Sequence, residues 1–130
     1  PAPRPAAAKA AAKSPPAPGP LERRLKSRIA RGTQAIDARI DLHGMTQAQA
    51  HAALLRFLRR AQDDGALLAL VITGKGARGR SGDAAGVLRR QVPLWLKLSE
   101  FSAFVVGFSP AAAAHGGEGA LYVRLRRTRA

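Results

Sequence analysis

The run Leu67-Leu68-Ala69-Leu70-Val71-Ile72 carries no polar residue, and it constrains this chain more than any other feature. An apolar run of this kind reads as a central strand buried on both faces, as in parallel sheets. The segments around it supply the rest of an α/β pattern. ARIDL (38–42) is a short strand candidate. Thr46 with Gln49 three residues later is a capping box, and Met45 and Ala50 are placed as a hydrophobic staple. Ala50, Leu54, Phe57, Leu58 and Ala61 then share one helical face, and Asp63-Asp64-Gly65 ends that helix. TGKGARGRSGD (73–83) is a glycine-rich loop. A second helix starts near Ala84 with Leu88, Val92, Trp95 and Leu96 on one face. Pro93 is expected to kink or restart it, because proline cannot bond back to the Arg89 carbonyl. AFVVGF (103–108) is a third strand and ALYVRLR (120–126) a fourth. In the fourth, Leu121, Val123 and Leu125 point inward, while Tyr122 and Arg124 are expected on a face open to water.

The order is β-α-β-α-β-β. Right-handed crossovers make the first three strands parallel with both helices on one face, and the last strand returns antiparallel. The expected architecture is therefore α/β, a two-layer sandwich with a four-stranded mixed sheet over residues 39–130. Before it, residues 1–20 hold seven of the nine prolines and eight alanines, and read as a disordered basic tail. Residues 21–38 read as a basic amphipathic arm or short helix, with Leu21, Leu25 and Ile29 as its thin apolar stripe. Such a helix is too short to stand alone and must pack on the domain or on a partner.

The chain carries 22 Lys+Arg against 8 Asp+Glu, a formal net charge of +14. Residues 1–38 hold 8 basic and 2 acidic side chains, and residues 39–130 hold 14 and 6. Such an excess points to a polyanion, DNA or RNA before anything else. The absence of cysteine excludes disulfides, thiolate metal sites and cysteine nucleophiles. No apolar run approaches a membrane span and the first residues lack a secretory pattern. A cytoplasmic monomer with no membrane partner is expected. The chain starts at Pro1 without an initiator Met, as a fragment would.

In parallel strands the loops leaving the carboxyl ends lie along one sheet edge, where ligands of open α/β folds bind. Asp41-Leu42-His43-Gly44 leaves strand one, Thr73-Gly74-Lys75-Gly76 leaves strand two, and His115-Gly116-Gly117-Glu118-Gly119 leads into the antiparallel strand four. Asp41 and His43, two apart on an extended segment, project to one side. Asp41 can orient the imidazole or hold a metal, and His43 can act as general base or acid. The plainer alternative is that Asp41 caps the turn and His43 bonds the backbone. Gly74 and Gly76 permit a turn that exposes amides, with Lys75 adding a point charge for phosphate and Arg78 and Arg80 extending the basic character. The Walker A spacing is absent. His115 can contact phosphate or stabilise a leaving group, the plainer alternative being packing or exposure to solvent, and Gly116 and Gly117 suggest close backbone approach to a strand or a ligand. Arg124 is a candidate clamp on the open sheet face, and His51 reads as a surface histidine.

These residues resemble the Smr domain, the small MutS-related family, of the bacterial stand-alone type. The resemblance runs from about Ile36 to Arg127, through IDLHGMTQAQA, LVITGKGARGRSGD, GVLRRQVPLWL and HGGEGALYVRLRR. It implies the same sandwich, akin to the carboxyl-terminal domain of a bacterial translation initiation factor. It also implies nuclease activity, since family members nick DNA and some cut mRNA on stalled ribosomes. The family's Asp-x-His motif falls on Asp41 and His43, its Gly-x-Gly loop on Gly74 and Gly76 around Lys75, and its later glycine motif on Gly116, Gly117 and Gly119.

The resulting expectation is an endonuclease cutting DNA or RNA. Asp41, His43 and Lys75 would be its catalytic residues, and Asp41 the ligand of Mg2+ or another divalent metal. Gly74, Gly76, Arg78, Arg80, His115, Gly116, Gly117 and Arg124 would contact nucleic acid. The rivals are a non-catalytic nucleic-acid or ribosome-binding module and an adaptor docking through residues 21–38.

Overall fold

The computed structural model describes residues 17–74 and 84–127. Strands β1 (Ala38–Asp41), β2 (Leu68–Ile72), β3 (Val105–Pro110) and β4 (Ala120–Leu125) form one mixed sheet in the order β1-β2-β4-β3. β1 is parallel to β2, and β4 is antiparallel to both β2 and β3. The first three strands therefore share a direction, and the reversed β4 lies between β2 and β3. The third strand starts two residues later than expected, because Ser99–Ser102 forms a single helical turn and Phe104 N–H closes a further turn onto Phe101.

Helix α1 (Arg23–Arg31) precedes the sheet, α2 (Gln47–Asp63) and α3 (Ala84–Leu96) are its crossovers, and α4 (Ser99–Ser102) is that short turn. α2 begins where its capping box places it. Thr46 Oγ1 accepts the Gln49 N–H at 3.1 Å, and Gln49 Oε1 accepts the Thr46 N–H at 3.0 Å. Its buried stripe, Ala50, Leu54, Leu58 and Ala61, meets Leu88, Val92, Trp95 and Leu96 of α3 over Ala69, Val71, Leu121, Val123 and Leu125 of the sheet. α3 is assigned as one helix through Pro93. Val92 before the proline and Trp95 and Leu96 after it are all buried, so the core holds both sides of the missing hydrogen bond.

The other sheet face is covered too, which corrects the two-layer expectation. Leu21, Leu25 and Ile29 pack on Leu68, Leu70, Ala120 and Tyr122, forming a second core. Each such burial is worth roughly 1.5–3 kcal/mol against leaving the side chain in water. α1 therefore docks on its own sheet. Tyr122, expected on an open face, is fully buried. The last residues of the supposed tail join the fold as well. Gly19 bridges Gly107 of β3, its carbonyl accepting the Phe108 N–H at 3.0 Å, and Leu21 N–H donates to Ser109 Oγ at 2.9 Å. Residues 1–16 lie outside the described residues.

Candidate functional site

Strand register brings the three expected loops to one edge. Asp41 pairs with Ile72, and Ile72 pairs in turn with Ala120. At a strand spacing of about 4.8 Å, the Asp41 and Ala120 main chains are roughly 10 Å apart. The loops are also tied beyond the strands. Leu42 N–H donates to the Ile72 carbonyl at 2.7 Å, and the Thr73 and Gly74 amides both donate to the Gly119 carbonyl, at 2.8 and 3.0 Å.

Neighbours across a ladder point to the same side of the sheet. Asp41 therefore projects to the α1 side with Ile72 and Ala120, and both it and His43 are exposed. One Asp41 carboxylate oxygen, Oδ1, accepts the His43 backbone N–H at 2.9 Å. The contact is to the main chain of His43 and not to its ring. It holds the turn so that the imidazole stands in solvent, with no hydrogen-bond partner among the described residues.

His115 closes a 3-10 turn over Ala113–His115, its N–H donating to the Ala112 carbonyl at 2.8 Å. The turn ends at Gly116, whose φ of +116° an L side chain rarely adopts. His115 is half-buried. Its Nδ1 lies 2.6 Å from the Tyr122 hydroxyl, which also accepts the Ala112 N–H at 3.1 Å. The ring stands edge-on to Tyr122 at 5.5 Å between centroids.

Three of the glycine amides expected near phosphate bond within the fold. Gly74 N–H is spent on Gly119, Gly116 N–H on Ala113 at 3.2 Å and Gly117 N–H on Ala112 at 3.0 Å. These three amides are turned inward to build the loops, so they are not available to an anion. Lys75, Gly76, Arg78 and Arg80 lie outside the described residues. Arg124 is exposed but sits four residues along β4 from Ala120, about 13 Å from the edge. It lines a small recess with Glu22 and Arg28 and does not join the histidines.

Two pairs escaped sequence reasoning. Arg89 of α3 donates to Glu118 at 2.9 Å, tethering the glycine loop to the helix. His51, expected as a plain surface residue, lies 2.6 Å from Glu100 and stands edge-on to Trp95 and Phe101 at 5.0 and 5.1 Å. Its signal was available in retrospect: an α2 histidine next to buried Ala50 reaches the flank of the α3–α4 core. An open cleft of about 850 Å³ between β1 and α2, lined by Ile40, Phe57, Arg56 and Arg60 among others, contains none of the three histidines.

Among the described residues no three of His, Asp and Glu gather as a metal site. The described carboxylates at this edge are Asp41, half committed to the His43 amide, and Glu118, paired with Arg89. That donor set is not a preformed chelate. One carboxylate shared with substrate phosphate and water is nevertheless a usual way to hold Mg2+.

The Smr domain family model matches residues 40–126, from β1 through the end of β4. The chain belongs to the Smr domain family. The Smr domain of Thermus thermophilus MutS2 is similar to it, with 28% sequence identity and a TM-score of 0.57, covering 68% of this chain and 98% of that one. YdaL, a stand-alone small MutS-related protein from Escherichia coli, is 27% identical with a TM-score of 0.63, covering 82% of this chain and 78% of that one. No curated protein matches the chain. Membership supports a nucleic-acid-associated role for this Smr domain. No helix among its described residues is long and apolar enough to cross a membrane. α1 lies outside the matched segment, yet it completes the second core and buries Tyr122 beneath it.

Proposed function

We propose that this Smr domain is an endonuclease that cuts phosphodiester bonds of DNA or RNA at the edge where β1, β2 and β4 meet. The observation that carries the reading is the Asp41–Ile72–Ala120 register, by which the loops bearing His43 and His115 flank β2 at one sheet edge of a basic protein. His43, exposed and with no ring partner among the described residues, takes the proton of the attacking oxygen, a 2′-hydroxyl on RNA or a water on DNA. Asp41 supports it by fixing the His43 main chain. His115 and Lys75, which follows Gly74 in the sequence, stabilise charge on the phosphoryl oxygens. Where a divalent ion is bound, Asp41 is the residue to hold it, and the ion supplies Lewis-acid stabilisation of the same oxygens.

Purified protein on supercoiled plasmid and on structured RNA, each with and without EDTA, tests the reading. Loss of His43 is expected to slow cleavage roughly 10²–10⁴-fold. Full activity in an Asp41→Ala/His43→Ala double variant would overturn it. One observation favours a second reading, a nucleic-acid or ribosome-binding module without chemistry: the Asp41–His43 bond is a turn cap, which a pure clamp would also use. That reading expects salt-sensitive binding and no cleavage of either substrate.

A further inference from the structure

We infer that Tyr122 is a positioning residue that fixes the tautomer of His115, leaving its proton on Nε2, so that the ring offers a donor to an anionic phosphate oxygen. The argument is a count of protons and lone pairs. A phenol has one O–H and two acceptor lone pairs. The Tyr122 ring is fully buried among the residues of the second core, and a buried hydroxyl is rarely left without partners. Its oxygen accepts the Ala112 N–H at 3.1 Å, from a donor that cannot accept the phenol proton in return. The Tyr122 proton therefore needs an acceptor, and His115 Nδ1 stands 2.6 Å away. A neutral imidazole with Nδ1 as acceptor carries its hydrogen on Nε2. With Nδ1 turned to the Tyr122 hydroxyl, Nε2 lies on the far side of the imidazole, and no described residue takes it as a partner.

The inference deepens the proposed function and rests on it for the identity of the ligand. With the Gly74, Gly116 and Gly117 amides spent inside the fold, a side-chain donor adds to what this edge can offer an anion, and the tautomer makes His115 one without a positive charge. It also divides the two histidines by chemistry: His43 is unencumbered and can accept a proton, whereas His115 is held as a donor. α1 enters the same account, because Leu25 and Ile29 share the core that seats Tyr122.

The test is long-range ¹H–¹⁵N NMR of the full chain at a pH where the histidines are neutral. The expected result is a His115 ring with Nδ1 unprotonated and Nε2 protonated. In Tyr122→Phe, which keeps the ring and removes the oxygen, His115 is expected to become a mixture of both tautomers while His43 and His51 keep their patterns. A proton on Nδ1 in the wild-type chain would overturn the inference, as would an unchanged His115 pattern in Tyr122→Phe. Binding of a single-stranded oligonucleotide supplies the second arm. His115→Gln, whose amide nitrogen reaches the position of Nε2, is expected to bind within a few-fold of wild type. His115→Asn, whose nitrogen mimics Nδ1, is expected to lose roughly ten-fold or more, the scale of one hydrogen bond to a charged group. Equal losses in both would overturn the donor role. An Nε2–H tautomer in a protein that cuts neither DNA nor RNA would count against the nuclease reading while upholding the Tyr122–His115 assignment.

Discussion

Gly107 and Gly19 meet with no room for a side chain between them: a Cβ on Gly107 would lie 2.5 Å from the Gly19 carbonyl oxygen. That carbonyl accepts the Phe108 N–H, so the approach is bonded and not incidental. Gly107→Ala must push the segment 17–20, a strap across β3, outward, since the clash is with backbone. The expected cost is about 1–3 kcal/mol, typical of overpacking. Hydrogen exchange should quicken selectively at residues 19–29, while amides of β2 and α2 keep their protection. A variant as stable as wild type, with unchanged exchange at Leu21 and Leu25, would refute this role for the strap.

Much of the fold was legible because local signals agreed. The Thr46–Gln49 capping box, the stripe Ala50–Leu54–Leu58–Ala61 and the apolar run 67–72 each name their element without reference to the rest. The site edge was legible for a topological reason, since βαβ connections place the loops after β1 and β2 side by side. The covering of the second face was not read, although its two halves were visible. The run 67–72 demands cover on both faces, and Leu21, Leu25 and Ile29 form a stripe that needs a surface to pack on. Periodicity says that a stripe exists but not where it docks. The burial of Tyr122 is hidden for a related reason: alternation along β4 is the same for an open strand as for one whose second face another segment covers. The inward turn of the Gly74, Gly116 and Gly117 amides was beyond reach, because it depends on backbone dihedrals that any glycine permits.

His51 holds α4 to α2 chiefly by packing. Its ring stands edge-on to two aromatic rings, and its bond to Glu100 is about half exposed on the Glu100 side. Edge-to-face pairs contribute roughly 0.5–1.5 kcal/mol each, whereas exposed ion pairs contribute about 0–1 kcal/mol. His51→Ala should therefore cost about 1–2 kcal/mol in urea denaturation, and Glu100→Gln less than about half of that. Equal costs would mean that the ion pair dominates. Nuclease activity should survive both changes, because neither residue lies at the β1–β2–β4 edge.

Gly116 sets the direction in which His115 leaves its turn. A side chain there would be strained at φ +116° and would meet Ala120 Cβ at 3.0 Å. Gly116→Ala is expected to destabilise the chain by roughly 1–2 kcal/mol. It should also slow cleavage by more than ten-fold at temperatures where the protein is still fully folded, as shown by circular dichroism. Wild-type cleavage rates in a folded Gly116→Ala protein would show that His115 need not be held where the structure holds it.

Arg89 and Glu118 set how much positive charge the edge offers. Their bond spans 2.9 Å between an Arg side chain 40% exposed and a Glu side chain 83% exposed, so its contribution to stability is small. Its effect on an anion is larger, because the carboxylate both occupies the guanidinium and repels phosphate. Glu118→Ala should leave thermal stability nearly unchanged and tighten nucleic-acid binding at low salt. Arg89→Ala should weaken binding. If the freed guanidinium takes up one phosphate, the slope of log K against log salt on DNA steepens by about 0.9 in Glu118→Ala. In the double variant the slope should return to the wild-type value or below. A Glu118→Ala protein that binds no more tightly, with an unchanged slope, would place the nucleic acid away from this loop and remove His115 from the contact surface with it.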